Sequence, residues 1–496
     1  MKKALSLLLA VIMLTAVFAA CSDVKPEDTV STTASVNPDN TTQAPVETVD
    51  PHTVPSEDLT KLDFTGNTIH IATTNEKTWE FKSEGETGAV INDAIFRRNA
   101  LVADDLGVTL DVIEYKQSGG NSTALKEAVV AVNKSGDTDV IDVVSAPSYY
   151  TSAYVTDGLI LDLEAIENSH INTNKIYWSS KYYENEKFAG KAYFLIGDLT
   201  PTVIERLEVI FLNDKLAETY LKGESKSLYS TVYDKEWTFE KFKTLVDSVG
   251  DGASTGMYGC NLPSNSYSLD GMEAGMGIKL VEKTEDNITC LLNDEHNIEI
   301  VETLRAFYYQ NPSVLREHNE NYTAFKAEKA LFAAGLLLES NGFIAANIDY
   351  SLYPMPLWDE NQEDYISTSQ DVYSILSIPT CAAPRAEMIT AVLEDLSYRS
   401  HDTVYTAMYE ITYSTRYSDN YDESKMFDFI YQHVDFSFGA IYSYVLGEVK
   451  NCPRYLLYPE NAGTNWTVKS AVASSLTTQN KIIGTSIKTF IKKFAE

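Results

Sequence analysis

Cysteine is scarce in this chain: five residues in 496, with no C-x-x-C pair. Zinc sites normally place two ligands close in sequence, so no metal is expected. The seven histidines (His52, His70, His170, His296, His318, His401 and His433) form no H-E-x-x-H and no close pair. A G-x-S-x-G elbow and an EF-hand loop are also missing, and no catalytic group or cofactor is expected. Basic residues are few, 39 Lys and Arg against 71 Asp and Glu, for a net charge of −32. So acidic a surface repels nucleic-acid phosphates and anionic headgroups, which excludes nucleic acid as a partner. Acidic side chains are so common that pairs such as Asp104/Asp105 and Asp294/Glu295 have little weight as glycosidase dyads. Beyond the N-terminus no apolar run reaches the roughly 20 residues of a membrane-spanning helix. The run from Leu331 to Leu338 is too short and reads as a buried strand or helix end.

The N-terminus is different. Met1-Lys2-Lys3 is a basic start, Ala4 to Ala20 is apolar, and Ala19-Ala20-Cys21 closes the stretch with small residues before a cysteine. That pattern is a secretory signal, and it resembles a bacterial lipobox, with Phe18 where an aliphatic residue is usual. The resemblance implies cleavage before Cys21 and its lipidation, the only attachment to a membrane that is expected. Residues 21–58, rich in Thr, Ser, Pro, Asp and Asn, cannot build a core and read as a disordered tether. Cys260, Cys290, Cys381 and Cys452 lie far apart. Disulfides and buried free thiols are equally open for them.

From Leu62 to Leu163 the chain alternates strand, helix, strand, helix, strand. Thr68 to Ala72 is a short strand after the Gly66-Asn67 turn. Val90 to Leu106 carries Ile91, Ala94, Ile95, Val102 and Leu106 at helical spacing, and Gly107 sits where a left-handed C-terminal residue belongs. Val108 to Tyr115 is the second strand. Ala124, Leu125, Ala128, Val129 and Val132 mark a second helix that stops at Ser135-Gly136. Asp139 to Ser145 is the third strand, with the β-branched content of a buried parallel sheet. The alternation predicts right-handed crossovers and an α/β lobe. In such sheets ligands bind beyond the carboxyl ends of the strands. The loop there, Thr73 to Trp79, has no glycine for phosphate to approach. The next, Ala146 to Tyr150, offers hydroxyls and aromatic faces, which suits a neutral polar ligand better than a nucleotide.

Further along, several short motifs occur in a telling order. Phe188 to Phe194 contains a G-K-x-Y strand. Val209 to Leu216 is an apolar strand ending in Asn213-Asp214-Lys215-Leu216. Glu236 to Phe242 opens a helix with Thr238 as N-cap, and Gly256 to Gly259 reads G-x-Y-G. Phe325 to Leu331 carries glutamate at 328 where the pattern has glycine. Tyr353 to Trp358 is a P-x-P strand, and a helix from Ala386 to Ser400 follows Ile378-Pro379. Together these resemble the bacterial extracellular solute-binding proteins of family 1, the receptors of carbohydrate ABC importers. The resemblance implies an α/β, two-lobed periplasmic-binding-protein-like (type II) fold, with discontinuous lobes and a hinge. The expected division is 1–20 signal peptide, 21–58 tether, 59–203 and 366–403 N-lobe, 204–365 and 404–496 C-lobe with a C-terminal helix. Crossings are expected near Thr200–Glu208, near Tyr365–Tyr373 and near His401. The tail from Val468 to Ala495 reads as a helix with Ile482, Ile483, Ile487, Phe490 and Ile491 on one face.

The function implied is capture of a sugar or oligosaccharide outside the cell by hinge closure, and delivery to an ABC transporter membrane permease. The protein is expected to be a monomer, extracytoplasmic and lipid-anchored at a Gram-positive-like cell surface. A pyranose stacks its C–H face on aromatic rings and pairs its hydroxyls with carboxylates, amides and arginine; the chain has 31 tyrosines. Candidate ligand-binding residues are Trp79, Tyr149, Tyr150, Trp178 and Asp198 on the N-lobe, and Arg206, Glu339, Asn341 and Trp358 on the second lobe. Trp237, in the helix-start motif, reads as structural. Two other functions fit the same chain: a secreted glycan-active enzyme, and a surface adhesin or scaffold lipoprotein without transport.

Overall fold

A computed structural model describes residues 50–496 apart from 119–120, 223–227, 265–269, 318–320, 409–420, 462–466, 468 and 496. The expected signal segment, Cys21 and the tether up to residue 49 lie outside the described residues. In β1 (Thr68–Thr74), Ile69 and Ile71 are buried. The helix Val90–Leu106 ends at Gly107, whose φ of 70° lets its amide reach the Ala103 carbonyl. A Cβ there would meet Thr65 Oγ1 at 2.5 Å, so both backbone and space call for glycine. The chain returns at once as β2 (Thr109–Tyr115), parallel to β1 from Thr68↔Thr109 to Thr74↔Tyr115. The helix Thr123–Ser135 ends the same way, on Gly136 at φ 75°.

The third strand begins later than the composition suggests, at β3 (Val143–Pro147). Asp142 accepts the His70 backbone N–H at 2.8 Å and pairs with Arg385 Nε at 2.7 Å. A side-chain acceptor thus takes the place of a ladder bond, and pairing starts one residue on. Neighbouring side chains of β1 and β3 point to opposite faces, as a strand requires. Ile71 and Val143 pack with Leu106, Leu393 and Leu396, while Ala72 and Val144 pack with Leu125 and Val129.

The second sheet is built from β4 (Glu208–Asn213), β5 (Tyr258–Pro263), β8 (Val314–Glu317), β9 (Ala330–Leu336) and β10 (Tyr350–Tyr353), in the order β10-β4-β9-β5-β8. A hairpin of β6 (Val281–Lys283) and β7 (Ile288–Cys290) stands apart from it. Strand β9, the expected buried run, is buried at every position. Trp237 is fully buried and donates its indole N–H to the Pro354 carbonyl at 2.9 Å, a packing role as expected. Glu328 adopts φ 55°, the left-handed conformation in which the resembled motif has glycine.

The chain then returns to the first sheet, where β11 (Ser374–Ser377) pairs antiparallel to β3 and completes the order β11-β3-β1-β2. Each sheet is therefore made from separate stretches of sequence. Where the chain passes between them, residues 206–208 and 368–370 run side by side: Glu208 N–H donates to Thr368 O at 2.9 Å and Gln370 N–H to Arg206 O at 3.0 Å. The helix Ala386–Ser400 continues into a wider turn at His401–Tyr405. The architecture is a two-lobed α/β fold with discontinuous lobes.

Three local expectations need correction. Phe188 to Phe194 is a tight turn rather than a strand: Phe188 and Lys191 exchange backbone hydrogen bonds across Ala189 and Gly190, both at positive φ. In the C-terminal helix Val472–Ala495, Ile483, Ile487, Phe490 and Phe494 are buried, but Ile482 is 53% exposed. Residues 50–58, counted with the tether, lie along 170–176: Lys175 Nζ donates to Pro51 O at 2.8 Å and His170 Nδ1 lies 2.6 Å from Glu57 Oε1. These polar pairs, with Leu59 buried just beyond, tie down a stretch whose composition alone gives no core.

Candidate functional site at the lobe crossing

The site is built where β1 and β3 end against the crossing segments. After β1 the chain turns so that Lys77 N–H donates to Thr74 O at 2.8 Å, and the Lys77 side chain is only 1% exposed. Burial lowers its pKa to about 8, against the attraction of Glu80; the charge of Arg206 adds to the depression. Glu80 is itself buried, and its carboxylate accepts from Thr202 N–H at 3.1 Å, from Thr202 Oγ1 at 2.7 Å and from the Ser374 hydroxyl. Burial raises its pKa. Arg206 donates from Nη1 to Gln370 Oε1 at 2.5 Å, and its buried Nε has no acceptor.

The loop expected after β3 is instead the first turn of a helix, Ser148–Thr156. The turn aims Tyr149 at the crossing: its N–H donates to Asp371 O at 3.1 Å, and its hydroxyl accepts from Asn451 Nδ2 at 2.7 Å. Tyr150 stands edge-on to Tyr149 at 4.7 Å and to Tyr444 at 4.9 Å, a favoured geometry for aromatic pairs. Tyr444 is 38% exposed. A cavity of about 360 Å³ opens beside Tyr150 and Tyr444, with Asn121, Ser122 and Lys126 on its wall.

Next to these rings is a buried ion network. Arg454 donates to Asp371 at 2.6 Å and to Asp270 at 2.9 Å, and Lys450 lies 2.8 Å from Asp270. Burial alone would raise Asp270, but Arg454 and Lys450 outweigh it and hold the pKa at about 2. The neighbouring Glu208 and Glu273 are pushed well up, by burial first and by the Asp270 charge second.

The nine candidates from the sequence are only partly gathered here. Tyr149 and Arg206 meet the crossing segment Gln370–Asp371 directly, and Tyr150 stacks edge-on against Tyr149 beside it. Glu339 is half-buried in the turn after β9, which reaches the crossing through Leu337 N–H to Leu207 O at 2.7 Å; Asn341, two residues on, is exposed. Trp79 is half-buried and packs against Ala94, Ile95, Val404 and Ala407. Trp178 is 5% exposed, and its indole N–H donates to Glu394 at 2.7 Å. Asp198 is buried between His401 Nδ1 at 2.6 Å and the Tyr431 hydroxyl at 2.7 Å. A cavity of about 470 Å³ lined by Trp178, His401, Tyr405 and Tyr431 adjoins that pair. Trp358 stands apart, edge-on to His296 at 5.4 Å.

Sequence reasoning missed Lys77, Gln370, Asp371, Tyr444, Asn451 and Arg454. Lys77 lies inside the loop Thr73 to Trp79, and a lysine beyond a strand end in so acidic a chain is a usable signal. The others arrive from the last third of the chain with no local motif. Among the described residues, no group of His, Cys, Asp and Glu could hold a metal ion. Cys260, Cys290, Cys381 and Cys452 are free thiols, three of them buried. No helix of the described residues is long and apolar enough to cross a membrane.

The fold is that of the periplasmic-binding-protein-like class. Among solved structures, a cyclo/maltodextrin-binding protein in complex with maltotetraose superposes with a TM-score of 0.56 at 12% identity, covering 86% of this chain and 99% of that one. An ABC substrate-binding protein from Listeria monocytogenes in complex with cycloalternan gives 0.52 at 11% identity, over 85% of this chain and 99% of that one. An ABC transporter solute-binding protein from Thermotoga lettingae bound with α-D-tagatose gives 0.52 at 10%, over 85% of this chain and all of that one. No protein-family model matches the chain, and no curated protein does.

Proposed function

We propose that this protein is an extracytoplasmic receptor that captures a carbohydrate between its two lobes and hands it to an ABC importer permease. The observation that carries the proposal is the meeting of an exposed tyrosine ring, Tyr444, and the half-buried rings of Tyr149 and Tyr150 with hydrogen-bonding and charged side chains at the lobe crossing. Tyr149, Tyr150 and Tyr444 offer faces for sugar C–H groups, while Arg206 and Gln370 offer partners for hydroxyls. The fold is shared with solute-binding proteins solved with maltotetraose, cycloalternan and α-D-tagatose bound. Lobes 59–203 with 366–403 and 204–365 with 404–496 would rotate about the crossing segments and close on the solute. Trp79 and Glu339 would stand at the rim. Cys21 would hold the protein at the membrane through lipid, with 21–49 as a tether, and the receptor would act as a monomer without catalysis.

A thermal-shift screen of the purified protein against mono- and oligosaccharides tests this reading. Ligand that binds only the folded form adds about 2.7 kcal/mol at a hundredfold excess over Kd, so the right sugar raises Tm by several degrees. Tyr444→Ala removes that rise with little change in the unliganded melt. A panel without any shift, or hydrolysis of a glycan by the protein, would reject the receptor reading.

A further inference from the structure

In a chain with 71 acidic and 39 basic residues, a buried cation should easily find a carboxylate. At the crossing the buried Lys77 and the half-buried Arg206 do not. The Lys77 amine makes no hydrogen bond or ion pair among the described residues, although the side chain is 1% exposed. Arg206 is held by a neutral amide, Gln370, and keeps a buried Nε without an acceptor. The two charges are close enough to act on each other. Three carboxylates share their surroundings. Glu80 is buried and engaged by Thr202 and Ser374, Glu76 accepts from Gln117 at 2.8 Å, and Glu205 is half-buried beside Arg206. None lies within ion-pairing distance of either cation. By contrast Lys450 and Arg454, a short way along the same crossing, are each paired to Asp270 and Asp371.

An uncompensated buried cation is unfavourable unless something neutralises it. Gln370 fixes the guanidinium without neutralising it, which leaves a preset fork for planar anions. Lys77 supplies a second charge from the end of β1, the edge at which open α/β sheets receive ligands.

We infer that the captured solute carries an anionic group (a carboxylate, sulfate or phosphate on a sugar) that sits on Lys77 and Arg206. This rests on the receptor reading above and specifies its substrate class. The loop lacks the glycines of a nucleotide phosphate cradle, so the anion is met by side chains rather than backbone amides.

The test is titration calorimetry of the full chain with matched pairs: uronic-acid, sulfated and phosphorylated mono- and oligosaccharides, each against its neutral counterpart, at low and high salt. The expected result is that one acidic class binds at least about tenfold tighter than its neutral counterpart, with affinity that weakens with salt. The three arms distinguish carboxylate from sulfate and phosphate. Lys77→Met and Arg206→Gln each remove about a factor of ten or more for the acidic sugar and bring it level with the neutral one. Lys77→Arg restores part of the loss, which a merely structural role would not do. Circular dichroism and the unliganded melt report that each variant is folded. Neutral sugars that bind as tightly as acidic ones, with no effect of Lys77→Met, overturn the inference and leave the receptor reading standing. A simple dicarboxylate that binds through Lys77 and Arg206 while no sugar binds upholds the anion site and overturns the sugar. If nothing in the panel binds, both fall together.

Discussion

Gln370 and Asp371 are neighbours on one crossing segment, and each holds an arginine. Gln370 holds Arg206 through a neutral amide; Asp371 holds Arg454 through a carboxylate that shares it with Asp270. The second arrangement is closed: its charges are paired within the protein, across stretches of sequence that the fold alone brings together. The first is open: Lys77 stands beside it, and Glu80 attracts that amine without reaching ion-pairing distance. Two cationic groups so near each other thus differ in what completes them. A completed network holds the lobes' shared frame in place, while an uncompleted one stores an unfavourable field that a ligand can relieve.

The largest effect should come from opening the closed network. Arg454→Met leaves Asp270 and Asp371 short of a counter-charge and should cost about 3–5 kcal/mol, seen as a marked fall in Tm by calorimetry. A drop of only a degree or two would mean the network is not what holds this frame.

Lys77→Met should act in the opposite direction. Removing an unpaired buried cation should stabilise the unliganded protein at neutral pH by something on the order of 1–3 kcal/mol. The sign follows from the two pKa values, about 8 in the folded protein and 10.5 as the ordinary value. Between them the unfolded chain binds the extra proton, so wild-type stability rises with pH across that window. Denaturant melts from pH 7.5 to 10.5 should show that slope in the wild type and its loss in the variant; equal slopes would contradict the burial of an unpaired amine.

Glu186 extends the comparison to the acidic side. It is fully buried and held by neutral donors, Tyr193 N–H at 2.6 Å, Phe194 N–H at 3.0 Å and the Tyr442 hydroxyl at 2.8 Å. Burial prevails over those bonds and raises its pKa from 4.5 to about 7. The folded state then holds a proton that the unfolded chain has lost, so this group's contribution falls as pH rises from 4.5 to 7, by up to about 3 kcal/mol. Glu186→Gln should flatten that part of the stability profile, and an unchanged profile would rule out a protonated Glu186.

The smallest effect is expected at Tyr149→Phe. It removes the hydroxyl that meets Asn451 and leaves the ring contacts with Tyr150 and Tyr444, so about 1 kcal/mol or less should be lost. Sugar affinity should change by less than about threefold, since the rings remain. A loss as large as that of Tyr444→Ala would shift the weight of binding from ring to hydroxyl.

Much of the first sheet was legible residue by residue. The helix Val90–Leu106 with Gly107, and the helix ending at Ser135 with Gly136, follow from apolar spacing and a left-handed cap, both local properties. The same reasoning began β3 too early, because composition cannot reveal that Asp142 takes a ladder donor and Arg385, more than two hundred residues away, neutralises it. It also took Phe188–Phe194 for a strand, where Ala189 and Gly190 make a turn. Of the site, Tyr149 and Tyr150 were visible from their place after a strand. Trp178 and Asp198 looked alike in sequence, yet one is tied to Glu394 and the other to His401 and Tyr431.

What the amino-acid order determined by itself is the α/β class, the positions of the caps, the acidity of the surface and the placement of aromatic and polar residues beyond the strand ends. These depend on neighbours within a few turns or on composition. Only the tertiary structure decided that Asp371 would be neutralised and Arg206 would not. That depends on where Arg454 and Gln370 stand in space, and charge compensation is a property of distance, which the order of residues along the chain does not contain.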